Sequence, residues 1–183
     1  MTTPSKNNPS EHFETQAVRT QTKRSPEREH SVPLYMTSSF VFENAEQARA
    51  MSADEIPGSI YTRFSNPNVD EFVRKMALLE GAEDGVAFAS GMAAVYAGFA
   101  AFLSKGDHVV SSRAVFGSTH QILTRILSRF GVEHTYVDQR DMSQWRAAVR
   151  AETKMLYLET PSNPGLEIAD LEALGQLAKE RGL

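Results

Sequence analysis

The chain has 183 residues, no cysteine, 19 basic and 23 acidic side chains, and a formal net charge of −4. Its 41% apolar content at that length is enough to fill one core. The charge gives nucleic-acid binding no electrostatic support, and the missing cysteines exclude a disulfide framework, a thiolate metal site and a cysteine nucleophile. Residues 1–28 are polar with few apolar anchors and read as an arm, disordered or laid along a partner. No apolar h-region stands in that opening stretch and no run approaches a membrane span, which leads to the expectation of a cytoplasmic protein. Ser31 to Phe42, rich in Thr, Ser and aromatics, reads as extended, and Glu43 to Met51 as a short helix that Asn44 can cap. Ile56 to Asn68 carries Pro57, Gly58 and Pro67 and reads as loop.

Regular alternation follows. Val69 to Leu79 reads as a helix with Phe72, Met76 and Leu79 on one face, and Gly85 to Ala89 as a strand. Gly91 to Leu103 reads as a helix with Val95, Phe99, Phe102 and Leu103 on its apolar face. The pattern then gives strand His108–Ser111, helix Thr119–Phe130 with Ile122, Ile126 and Leu127 inward, and strand Val132–Val137. Helix Met142–Arg150, strand Met155–Glu159 and helix Leu171–Glu180 complete it, the last with Leu171, Leu174, Leu177 and Ala178 toward the sheet. Short apolar strands alternating with helices predict an α/β fold, a mostly parallel sheet with helices on both faces. The chain closes on basic residues and Gly182, the way an αβ loop opens, so a further strand and a longer protein are expected. On this reading residues 1–56 are an arm with a short helix, and residues 57–183 are part of a large, incomplete sheet domain.

Chemistry concentrates in loops at the carboxyl ends of strands, where open α/β sheets bind ligands. Ser90, Gly91 and Met92 open a helix directly after an apolar run, so backbone N–H groups and the helix dipole can hold an anion, although a plain cap and turn is the commoner use of a Ser-Gly pair. Tyr61 and Arg63, two residues apart in an extended loop, point to one side and suit a phosphate; an Arg stacked on a half-buried Tyr is the alternative. Phe116 precedes Gly117 at a helix start after the second strand and can stack on a flat ring or pack in the core. Glu159 and Asn163 sit in the proline-stiffened turn Glu159-Thr160-Pro161-Ser162-Asn163-Pro164, where Asn163 can bond a phenolic oxygen and Glu159 an Arg or a backbone amide. The five histidines, His12, His30, His108, His120 and His134, lack metal-ligand spacing and read as surface or satisfied core.

Five ordered segments, Val32-Pro33-Leu34-Tyr35-Met36-Thr37-Ser38-Ser39-Phe40, Tyr61-Thr62-Arg63-Phe64-Ser65-Asn66-Pro67, Ala89-Ser90-Gly91-Met92-Ala93-Ala94, Gly106-Asp107-His108-Val109-Val110 and the Glu159–Pro164 turn, together resemble the Cys/Met-metabolism family of pyridoxal-phosphate-dependent enzymes, the trans-sulfuration enzymes. The match runs from about Glu14 to the last residue. The resemblance implies a fold-type I transferase with pyridoxal 5′-phosphate as cofactor. The Ser90, Gly91 and Met92 turn would hold the cofactor phosphate, Phe116 would stack on the ring, and Asn163 would lie near its phenolic oxygen. Glu159 would order the site, and Tyr61 and Arg63 would reach the phosphate of a neighbouring subunit's cofactor. Tyr61 and Phe116 are thereby the catalytic positions implied.

Within the family the chain looks most like the branch that replaces the succinyl group of O-succinylhomoserine with sulfide to give homocysteine. The stretch Arg24–Ser31 resembles the start of that branch, and Phe116 stands where the lyases usually carry a tyrosine. Cystathionine γ-synthase, related γ-lyases and a non-catalytic subunit that joins a longer homologue are the alternatives. The implied partners are O-acylhomoserine, sulfide and further copies of the chain in a homo-oligomer with shared sites, usually a tetramer. The aspartate for the pyridinium nitrogen, the cofactor lysine and the arginine for the substrate carboxylate are expected beyond Leu183. Lys75, Lys105, Lys154 and Lys179 match no such lysine motif.

Overall fold

The computed structural model describes residues 12–19 and 24–183, which belong to two compact units divided between Ala87 and Phe88. Part of the expected polar arm lies outside the described residues. Within them, Phe13–Arg19 forms α1, a helix that the polar composition does not announce. So short a helix gains its stability from packing, and α1 lies against α3 (Pro67–Glu80).

The first unit is organised by two asparagines. Asn66 is buried and caps α3, its side chain accepting from the Asn68 amide at 3.0 Å, and Pro67 takes the first helical position. A proline is favoured there because its missing N–H would have no intrahelical partner, so α3 begins two residues earlier than the apolar pattern suggests. The same two side chains pin the extended segment before them. Asn66 donates to the Tyr35 carbonyl at 3.0 Å, while Asn68 accepts from the Tyr35 amide at 2.8 Å and donates to the Pro33 carbonyl at 2.7 Å. An antiparallel bridge between Ser39 and Tyr61 continues this seam. Helix α2 (Ala45–Ser52) carries the expected Asn44 cap, which accepts from the Gln47 amide at 2.8 Å. On α3, Phe72 remains 59% exposed and Met76 is exposed too, while Glu71 is buried.

The second unit is a three-layer sandwich. Its sheet has three parallel strands, β1 (His108–Ser112), β2 (Glu133–Val137) and β3 (Thr153–Tyr157), in the order β2-β1-β3. The period-two geometry of β1 sends Val109 to one face and Val110 to the other. On Val109's face lie Phe99 of α4 (Gly91–Phe102), Leu103, and Ile122, Leu123 and Leu127, which follow α5 (Gly117–Gln121). On Val110's face lie Trp145 of α6 (Met142–Ala148) with Leu174 and Leu177 of α7 (Leu171–Arg181). Both helices on that face are capped by aspartates, Asp141 and Asp170.

Four expectations are corrected. Residues 85–89 form no strand, since none of the three strands of the sheet pairs with that segment. The helix expected over 119–130 starts at Gly117 and is not uniform. It passes from α5 into a π turn at Ile122–Ile126 and a 3-10 turn at Leu127–Phe130. The change of pitch rotates Ile126 outward and brings Leu123 into the core. Gly131 ends it with φ 78°, where a Cβ would stand 2.8 Å from Lys105 Cγ. Phe102, expected inward, is 72% exposed, because α4 stops there and Leu103 takes the core position. Leu171, expected toward the sheet, is also exposed at the start of α7.

Candidate functional site

Strand order fixes where a ligand can sit. Strand β1 is followed by α5 on one face of the sheet, and its neighbour β3 by α7 on the other. Loops leaving adjacent strands to opposite faces open a crevice between them, the topological switch point at which open α/β sheets bind ligands. Phe116 is on the loop after β1, and Glu159 and Asn163 are on the loop after β3. Helix α4, whose first residues are the candidate anion turn, packs beside α5.

The two loops are tied by one side chain. Glu159 Oε2 accepts from the Phe116 amide at 2.7 Å, and Oε1 accepts from the Thr119 hydroxyl at 2.8 Å and from the Tyr157 hydroxyl at 3.2 Å. Of the two partners open to Glu159, the backbone amide is the one the fold uses. Burial, and next the charge of Glu159, push the Tyr157 hydroxyl up to about 12, so it stays protonated and donating. Phe116 itself is 44% exposed, so its ring is not a core residue.

The loop after β3 is closed on itself. Ser162 is buried, and its hydroxyl accepts from the Glu167 amide at 3.0 Å. Glu167's carbonyl in turn accepts from the buried side chain of Gln139 at 2.9 Å, and Gln139 accepts from Ser112 at the end of β1 at 3.0 Å. Asn163, in contrast, is exposed, and its side-chain amide has no hydrogen-bond partner among the described residues.

Ser90 caps α4, its hydroxyl oxygen accepting from the Ala93 amide at 3.2 Å and its carbonyl from the Ala94 amide at 3.1 Å. The Gly91 and Met92 amides belong to the first turn and have no acceptor within the helix. Space for a Cβ on Gly91 is open, with no atom within 4 Å. A helix start with unused amides, an unobstructed glycine and a neighbouring exposed aromatic ring fits a phosphorylated, flat cofactor.

Tyr61 and Arg63 lie in the first unit and form a cluster of their own. The Arg63 guanidinium stands 5.2 Å from the centre of the Tyr61 ring and 5.1 Å from that of Phe64, so the two residues do share a side. Arg63 is exposed and has no ion-pair partner among the described residues.

Sequence reasoning missed Thr119, Tyr157, Ser112 and Gln139. A Thr three residues after Phe116 and a Tyr two before Glu159 are the only signals the chain offers, and neither is distinctive. His108 is a satisfied core histidine, with Thr153 Oγ1 and Thr135 Oγ1 each 2.9 Å from a ring nitrogen, and burial lowers its pKa. Among the described residues no cluster of three or more His, Cys, Asp or Glu is placed to hold a metal.

Comparison with known proteins gives the family. The model of the family described as Cys/Met metabolism PLP-dependent enzyme matches residues 14–183. An O-succinylhomoserine sulfhydrylase of Pseudomonas aeruginosa is 45% identical over 170 residues, covering 93% of this chain and 42% of its own length. An L-methionine gamma-lyase of Fusobacterium nucleatum subsp. nucleatum is 43% identical over 148 residues, covering 81% of this chain and 38% of its own. Among solved structures, a Campylobacter jejuni protein described as an O-acetylhomoserine (thiol)-lyase, holding N′-pyridoxyl-lysine-5′-monophosphate, superposes with a TM-score of 0.86 at 34% identity, over 93% of this chain and 42% of that one. The chain thus spans about two fifths of the length of the curated relatives it matches. Its parallel sheet, with helices on both faces, is part of the fold-type I transferase domain, and the family's cofactor is pyridoxal 5′-phosphate. The chain belongs to the Cys/Met-metabolism family of PLP-dependent enzymes.

Proposed function

We propose that this chain forms the N-terminal, cofactor-holding part of an enzyme that replaces the succinyl group of O-succinylhomoserine with sulfide, giving homocysteine and succinate. The observation that carries the reading is the half-exposed Phe116 ring at the switch point, fixed by Glu159 and lacking any hydroxyl. In this reading the Gly91 and Met92 amides and the Ser90 turn bind the phosphate, Phe116 stacks on the pyridine ring, and Asn163 offers its free amide to the phenolic oxygen. Arg63, braced on two aromatic rings, presents its guanidinium to the phosphate bound by a neighbouring subunit, with Tyr61 beside it. Bound there, pyridoxal phosphate would supply the electron-withdrawing ring that makes protons near the substrate's amino group removable. A phenyl ring keeps the stacking and cannot donate a proton to a leaving group, which suits a succinate carboxylate, able to leave as the anion, and disfavours expulsion of a thiolate from methionine.

The similarity to an L-methionine gamma-lyase supports a second reading, γ-elimination. The intact protein of which this chain forms part, loaded with pyridoxal phosphate, should make homocysteine and succinate from O-succinylhomoserine and sulfide. Thiol release from methionine, with no succinate formed in the first assay, would transfer the assignment to the lyase reading.

A further inference from the structure

Glu159 is placed by more than its own strand. A carboxylate offers about four lone-pair sites, and three of them here are filled by donors from three places: the Phe116 amide before α5, the Thr119 hydroxyl inside α5, and the Tyr157 hydroxyl at the end of β3. Thr119 is 1% exposed, so its hydroxyl has no water to turn to. The Tyr157 ring packs on Phe99 of α4, ring centres 4.6 Å apart and tilted by 45°. A continuous path of contacts therefore joins α4, whose first turn holds the unused amides, to the backbone of the exposed aromatic at the crevice.

We propose that Thr119 and Tyr157 are positioning residues that lock the Glu159 carboxylate onto the Phe116 amide and so set where the Phe116 ring stands relative to the start of α4. Both act through Glu159. Deleting either hydroxyl removes one of the two donors that hold Oε1, which loosens the carboxylate and with it the anchor of the Phe116 loop, while the core around Phe99 keeps its shape. The assignment rests on the reading of Phe116 and the α4 turn as the cofactor site.

The test uses the intact protein and the variants Thr119→Val, Thr119→Ser and Tyr157→Phe. Amide hydrogen exchange of the segment containing Phe116 is measured without cofactor, beside the thermal midpoint and the pyridoxal phosphate dissociation constant. Thr119→Val and Tyr157→Phe should each speed exchange at Phe116 and weaken cofactor binding by about tenfold, the scale of one hydrogen bond to a charged group. Thr119→Ser, which keeps the hydroxyl, should behave as the wild type. Unchanged exchange at Phe116 in Tyr157→Phe, which removes one oxygen and no ring contact, would overturn the proposal even where Thr119→Val fails to fold. A wild-type protein that binds no pyridoxal phosphate would refute the functional reading instead, and the exchange data would still decide whether the anchor exists.

Discussion

Phe116 and Arg63 carry the residue-level argument for the reaction, and each has a clean substitution. Adding a phenol with Phe116→Tyr should raise thiol release from methionine relative to succinate release from O-succinylhomoserine in the intact protein, because a departing thiolate gains from a proton and a carboxylate does not need one. A fixed ratio would remove the mechanistic basis for choosing the sulfhydrylase branch. Arg63→Ala should weaken pyridoxal phosphate retention by about 1.5–3 kcal/mol, the usual worth of a hydrogen bond to a charged group; unchanged affinity would return Arg63 to a surface stacking role. His108 makes a prediction about stability. Burial holds its pKa below the ordinary 6.5, so the unfolded chain takes up the proton first as pH falls. Its contribution is therefore complete above about pH 6.5 and is lost as pH drops below that, and His134, also lowered by burial, adds the same sign. Denaturant midpoints at about pH 7.5 and about pH 5.5 should fall less in His108→Asn, which cannot titrate, than in the wild type.

At the scale of elements, one helix cap was legible in the sequence. Asn44 is the cap the sequence suggests, and Gly131 closes an irregular helix where only a glycine fits both the φ of 78° and the Lys105 stem. Gly131→Ala should cost about 1–2 kcal/mol of unfolding free energy, above the usual glycine-to-alanine gain, because both strain and crowding oppose it. Strands 108–112, 133–137 and 153–157 were readable from short apolar runs within two residues of their true ends. The segment 85–89 was not, since a strand needs a neighbour and local composition says nothing about one. Helical periodicity also overstated burial. Phe72, Phe102 and Ile126 lie at apolar-face positions yet are exposed, because periodicity names a face and only the tertiary layers decide whether it is covered. α1 was invisible for the converse reason: its stability comes from contact with α3, not from composition.

For the whole molecule, the informative fact is the order β2-β1-β3. It converts two loops that are separate in sequence into two walls of one crevice, and it places Phe116 within a hydrogen bond of Glu159 across 43 residues. The loop motifs themselves were legible, because glycine, proline and polar residues after apolar runs mark strand ends. The residues that hold those loops in place, Thr119, Tyr157, Ser112 and Gln139, were not, because a buried hydroxyl or amide carries no local signature until its partner is known. The direct test of the central claim, that the start of α4 holds the cofactor phosphate, is Gly91→Val in the intact protein. No atom lies within 4 Å of an added Cβ, and a helical Cβ tilts toward the N-terminus, the side of the first-turn amides. The account predicts an unchanged thermal midpoint without cofactor and pyridoxal phosphate affinity reduced at least about tenfold, or 1.4 kcal/mol. Wild-type affinity in that variant would contradict it and move the phosphate elsewhere.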